Sequence, residues 1–103
     1  MSHRKVSSRP RRMSVKRAQD IASKRSWTFH WEHDESPDWS GIEDAKEVLH
    51  CVLRDENGHV LDSLGGIGMS GNYARDQRFG REIERDMIEN VLAEQSRPQY
   101  AGT

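Results

Sequence analysis

Apolar and polar residues alternate most regularly in the segment from Trp27 to Asp34. Trp27, Phe29 and Trp31 stand at every second position, and polar or charged residues stand between them. A period of two is typical of a β-strand with one buried face. The segment therefore predicts a first strand whose aromatic side packs against the rest of the protein.

Two further apolar runs predict an antiparallel hairpin. The first spans residues 47–54 and the second spans residues 60–67, with Asn57-Gly58 between them. Asn and Gly both tolerate the positive φ angles that tight hairpin turns require. We therefore expect the second and third strands to pair directly.

The register of this hairpin stays open in the sequence. A two-residue loop pairs Glu56 with His59, whereas a three-residue loop with a bulge at Gly58 pairs Asp55 with His59. Because side chains alternate along a strand, the two registers place Leu61 on opposite faces of the sheet.

Helical spacing appears at both ends of the chain. Phe79, Ile83, Met87 and Val91 recur at every fourth position and predict one long helix over residues 73–95. A weaker pattern over residues 14–26 predicts a short basic helix, with Ser14 as its cap and with Val15, Ala18, Ile21 and Ala22 on one side.

This order predicts an α+β fold. Its core is a three-stranded antiparallel sheet packed by one long C-terminal helix, preceded by a short basic N-terminal helix or a disordered arm. The predicted divisions are a basic, largely flexible arm over residues 1–26, one small domain over residues 27–97, and a disordered tail over residues 98–103.

Charge is strongly segregated between these divisions. Residues 1–26 hold nine Lys/Arg against one acid, whereas residues 27–103 hold seven against sixteen. Such asymmetry is typical of an interaction segment joined to a separate domain. It makes binding the first hypothesis for function, either by the acidic body or by the basic arm.

The acidic body suggests one kind of partner. Trp39 is either a core plug or an exposed contact. As an exposed contact within a carboxylate-rich surface it would fit a basic groove of a protein, since Trp often dominates binding energy. The alternative is a surface that merely keeps the protein in solution. The residues predicted to bind the protein partner are Asp34, Glu35, Asp38, Trp39, Glu43 and Asp44.

The basic arm suggests nucleic acid as the alternative partner. Its cations could neutralise phosphates, and because it lacks aromatic residues this binding would be electrostatic and salt-sensitive. It could equally fold back on the acidic body. The candidate contacts are Arg4, Lys5, Arg9, Arg11, Arg12, Lys16, Arg17, Lys24 and Arg25.

Signals for catalysis are weak, and we expect no enzyme, no cofactor and no metal. Residues 66–71 spell G-x-G-x-x-G, but no second strand with an acidic end follows, so an ordinary strand-to-helix turn is favoured. The His and acidic residues of the first strand are better read as a solvated face. Cys51 is expected to be a small buried side chain.

The remaining composition bears on location and assembly. A lone cysteine fits a reducing compartment, and with neither a long apolar span nor a secretory signal we expect a cytoplasmic protein. An organelle transit peptide is the less favoured reading of the basic segment. With 33% hydrophobic residues, the small core also favours self-association.

The string from Cys51 to Ile67, with Trp31-Glu32 before it and Tyr73 after it, resembles small uncharacterised proteins of bacteria and their phages. The resemblance covers residues 27–95 and implies a short accessory protein without catalytic residues. It leads to the hypothesis of a phage or mobile-element regulator that binds, and inhibits, a host defence or nucleic-acid-processing protein.

Overall fold

A computed structural model describes residues 12–34 and 45–96 of the chain. It is an α+β structure whose elements follow the predicted order. Two helices cover one face of a three-stranded antiparallel sheet with the strand order β1-β2-β3. The elements are α1 (Val15–Arg25), β1 (Thr28–His33), β2 (Glu47–Arg54), β3 (Val60–Met69) and α2 (Tyr73–Gln95).

The aromatic face predicted for β1 is confirmed. Trp27 is buried and Phe29 and Trp31 are half-buried, whereas Thr28 and His30 between them are exposed. The three aromatic side chains join a core that includes Cys51 and Leu53 of the central strand, Ile67 and Met69 of β3, and Met87, Ile88 and Val91 of α2.

The hairpin adopts the three-residue loop. The Asp55 N–H donates to the His59 carbonyl at 2.9 Å, and Gly58 has a φ of 85°. The Asp55 carboxylate also accepts from the backbone N–H groups of Asn57 and His59. Some loss of hydration favours the neutral acid, but these bonds outweigh it and hold the pKa of Asp55 below its ordinary value. Leu61 is partly buried against the core, and an irregularity in the pairing between Arg54 and Leu53 places Asp62 opposite Leu53.

The third strand is longer than predicted. The strand-to-helix turn expected over residues 66–71 begins only after Met69, because β3 continues through Gly66 and Gly68. Pairing shifts by one residue between Cys51 and Leu49, so that Gly65-Gly66 forms a bulge, with Gly66 at a φ of 66°. A bulge tolerates glycine well, because one of its residues often needs a positive φ.

The predicted division at residue 26 does not coincide with the packing. Ser14 caps α1 as expected by accepting from the Arg17 N–H at 3.0 Å. Ser26 adopts the left-handed conformation that ends the helix, and the Trp27 N–H then bonds to the Ala22 carbonyl at 2.9 Å. This turn directs Trp27 into the core, where Ala18 and Ala22 of α1 are also buried. Helix α1 is therefore part of the packed unit.

Helix α2 begins at the predicted place, since the Asn72 side chain accepts from the Arg75 N–H at 3.0 Å. Its apolar stripe is only partly buried. Met87 and Val91 belong to the core, but Phe79 remains 38% exposed. Neither described helix is both long and apolar enough to cross a membrane.

Candidate functional site

The exposed face of α1 is basic. Arg17 and Lys24 stand seven residues apart, which is about two helical turns, so they lie on one outward stripe. Neither forms an ion pair with a residue that the structure describes. Lys16 is also exposed but lies 3.7 Å from the Asp20 carboxylate. Toward solvent, α1 thus presents Arg17 and Lys24, which have no ion-pair partner among the described residues, and Lys16, which is paired.

Two other predicted contacts of the arm are engaged inside the molecule. The Arg12 guanidinium pairs with Asp86, and the Met13 N–H donates to the Glu89 carboxylate at 2.7 Å. Arg25 lies over the Trp27 ring, 5.1 Å from its centroid. These contacts fix both ends of α1 to the fold. Arg4, Lys5, Arg9 and Arg11 lie outside the described residues.

The first half of α2 adds cations that the sequence did not single out. Arg75, Arg78 and Arg81 are all exposed. Arg78 and Glu82 stand four residues apart, a spacing that allows an ion pair, but the two do not form one among the described residues. Arg81 borders a narrow cleft together with Gln19 of α1, so the two basic segments are neighbours.

Charge therefore divides between the two layers of the fold. In the described helices and their caps, residues 12–26 and 72–96, nine Lys/Arg stand against seven Asp/Glu. In the described strands and connections, residues 27–34 and 45–71, two stand against six. The helical layer is positive and the sheet is negative, although residues 27–103 as a whole are acidic.

The acidic surface proposed for a protein partner is described at only one position. Asp34 follows β1, and its Oδ2 accepts from the Gly66 N–H of β3 at 2.7 Å. A side chain at Gly65 would meet the same carboxylate at 2.9 Å. Asp34 therefore helps to hold the bulge. Glu35, Asp38, Trp39, Glu43 and Asp44 lie outside the described residues.

A groove of about 660 Å³ opens between the first half of α2 and the sheet. Its floor is apolar and comes from all three strands, through Trp31, Leu49 and Met69. We call it the α2–sheet groove. The remaining lining residues are Glu47, Gly71, Tyr73, Asp76, Gln77, Gly80, Arg81 and Glu84.

The groove exists because α2 changes character along its sheet-facing side. In the second half Met87, Ile88 and Val91 fill the space above the sheet and are buried. In the first half the corresponding positions hold Gln77 and Gly80, together with the charged residue Glu84. Small and polar side chains cannot seal an apolar floor, so this half of the interface stays open.

Trp31 connects the floor of the groove, which the sheet forms, to the side formed by α2. Its indole Nε1 donates to the Glu84 Oε2 at 2.8 Å. A Cβ at Gly80 would lie 3.8 Å from the Trp31 ring, so the helix passes close over the indole. At the opening, Tyr73 is 78% exposed. The site combines aromatic surface with carboxylates.

The G-x-G-x-x-G segment does not offer its amides to a phosphate. The Asp76 carboxylate accepts from the N–H groups of Ser70 and Gly71 at 2.9 and 3.0 Å. The hydrogen bond from the Ser70 N–H, followed in size by the one from the Ser70 hydroxyl, lowers the pKa of Asp76. Asp34 takes the Gly66 N–H in the same way. Carboxylates of the chain occupy the positions of a bound anion, which supports the structural reading of this turn.

The histidines of the sheet pair with nearby acids. His30 and His50 lie 3.3 and 3.5 Å from the Glu32 carboxylate, and His33 lies 3.3 Å from Glu47. No group of three or more ligand-type side chains in the described ranges is arranged to hold a metal ion.

Cys51 lies at the centre of the core with no exposed surface. Burial, with smaller contributions from the Glu84 and Asp62 carboxylates, raises the pKa of its thiol to about 12. A thiol in this state is a poor nucleophile at neutral pH.

Comparison with known proteins adds no family. No protein-family model matches the chain, and searches of curated proteins and of solved structures give no significant match. The resemblance to small phage and bacterial proteins therefore stays a prediction.

Proposed function

We propose that this chain is a non-enzymatic, cytoplasmic binding protein that attaches to the phosphate backbone of nucleic acid through its helical layer. The supporting observation is that α1 is docked on α2 and directs Arg17 and Lys24 to solvent. Cations on a packed helix lose less conformational entropy on binding than cations on a disordered arm.

The cations of α2 extend this surface. Arg75 and Arg78 are exposed on the same helical layer, and Arg81 borders the cleft that α1 also lines. Four more cations, at positions 4, 5, 9 and 11, precede α1 in the sequence. Salt-dependent binding to phosphates needs several cations and no particular base sequence. The acidic sheet, on the other side of the molecule, would stay away from the backbone.

The test is the salt dependence of binding to a short fluorescein-labelled DNA duplex. We expect log Kd to rise linearly with log salt between about 50 and 200 mM. Arg17→Gln/Lys24→Gln and Arg75→Gln/Arg78→Gln should each lower the slope by about two, because each lost phosphate contact removes about one. Fluorescence anisotropy measures both quantities.

A matched control removes the same charge from the other layer. Lys46→Gln/Arg54→Gln also deletes two cations, but these residues belong to the sheet and its connection. We expect this pair to leave the slope within about half a unit of the wild type. Equal slopes for all three pairs would show that net charge, and not the helical surface, governs binding.

The protein-binding hypothesis stays a second proposal, in which this chain is encoded by a phage or mobile element and its acidic surface, within residues 34–44, binds and inhibits a host defence or nucleic-acid-processing protein. Its test should retain Asp34, because that carboxylate supports the bulge of β3. We expect Glu35→Gln/Asp38→Asn to weaken capture of such a partner by about tenfold. Unchanged capture by this pair would remove the hypothesis.

A further inference from the structure

The α2–sheet groove has an apolar floor and an acidic rim. Three carboxylates line it, from Glu47, Asp76 and Glu84, against one guanidinium, from Arg81. Asp76 stays ionised because its backbone hydrogen bonds lower its pKa. The charge at the rim is therefore complementary to a cation.

The floor is complementary to the other part of a basic side chain. Lys and Arg carry an aliphatic stem that packs on apolar surface while the charged group remains at a polar rim. Leu49 and Met69 supply apolar floor, and Trp31 and Tyr73 supply the aromatic rings that attract cations. A volume of about 660 Å³ also accommodates more than one side chain.

Two of the three rim carboxylates, those of Glu47 and Glu84, keep capacity for a ligand, whereas Asp76 is engaged by Ser70 and Gly71. Glu84 accepts from the Trp31 indole through Oε2, and Glu47 lies beside His33 through Oε2. A carboxylate has about four acceptor sites on its two oxygens, so one protein contact leaves others for a guanidinium or ammonium group.

We propose that the α2–sheet groove binds a Lys- or Arg-bearing extended segment of a protein partner. The basic side chain lies across Leu49 and Met69 with its charged end at Glu47 and Glu84. This site adjoins the proposed nucleic-acid surface, since Arg81 borders both, but three carboxylates against one guanidinium give its lining the opposite net charge. The two surfaces would let the protein join a basic polypeptide to a nucleic acid.

The probe is a short labelled peptide that contains Arg and Lys. The control is the same peptide with every Arg and Lys replaced by Gln. We expect the basic peptide to bind the full chain and to shift the indole N–H signal of Trp31 in a ¹⁵N-labelled sample. Glu47→Gln/Glu84→Gln should weaken binding by about five- to tenfold. The amide oxygen introduced by Glu84→Gln can still accept from the Trp31 indole, so the fold is retained.

Two further variants make the result decisive. Asp20→Asn/Glu56→Gln removes the same charge outside the groove and should bind the peptide as the wild type does. Gly80→Met adds a flexible side chain where a Cβ is tolerated, and should block the peptide by filling the groove. Binding of the Gln peptide with equal affinity, or preference for an acidic peptide at Arg81, would overturn the proposal. Neither outcome alters the salt slope that tests nucleic-acid binding.

Discussion

Replacing Ile88 with alanine is expected to lower the free energy of unfolding by about 2–5 kcal/mol. Ile88 has no exposed surface and lies where α2 meets α1 and the sheet, beside Ala18 and Phe29. Truncation removes buried methyl groups and leaves a cavity that helices held by several contacts cannot fill. A small domain has only about 5–15 kcal/mol in total, so this single change removes much of its stability. Equilibrium urea unfolding measures the loss.

Phe79→Ala is the matched comparison on the same helix. Phe79 is the larger side chain, but it is 38% exposed and does not belong to the core. We expect it to cost less than about 1 kcal/mol. If both variants lowered the free energy of unfolding equally, Phe79 would contribute as much as Ile88, and the core would not be centred on Ile88.

The contrast between these two positions shows where periodicity in the sequence is reliable. A repeat of four residues advances about 40° beyond a full turn of an α-helix at each step. From Val91 back to Phe79 the drift reaches about 120°, so Phe79 rotates away from the face that holds Val91. The repeat predicted the helix correctly but extended its buried stripe too far toward the N-terminus.

The strands were predictable where the signal was local. The alternation of aromatic residues in β1 and the Asn57-Gly58 turn each need only a few adjacent residues. The continuation of β3 through its glycines is paired with β2, and Asp34, 32 residues away in the sequence, accepts from the Gly66 amide. Local rules interpret several glycines as a loop, whereas these long-range contacts hold them in a bulged strand.

The candidate surfaces were predictable to a similar degree. The excess of cations before residue 27 is plain in the sequence, and it identifies Arg17 and Lys24. The sequence could not show that Arg12 and Arg25 are held by Asp86 and Trp27, because those contacts are long-range or depend on the turn at Ser26. The α2–sheet groove was also missed. The polar residues on the sheet-facing side of α2 were the feature of the sequence that could have indicated this groove.

Raising the pH is expected to destabilise the protein through Cys51. Its thiol has an ordinary pKa of 9.0 in the unfolded chain and about 12 in the fold. Between these values the unfolded state loses the thiol proton and the folded state keeps it. The contribution of the neutral thiol to the free energy of unfolding is therefore complete below pH 9 and is lost as the pH rises toward 12. The slope approaches about 1.4 kcal/mol per pH unit. Urea unfolding at several alkaline pH values measures it.

Cys51→Ala isolates this contribution, because Lys and Tyr side chains also titrate at alkaline pH in both proteins. The variant should start less stable at neutral pH, since it loses the buried sulfur, and should then lose stability more slowly than the wild type as the pH rises. The two curves therefore converge. A thiol reagent at neutral pH should label the wild type only through its unfolded state, at a rate that increases with urea. Parallel stability curves, or rapid labelling in the absence of urea, would mean that the thiol is accessible and that the sheet and helices do not close over it.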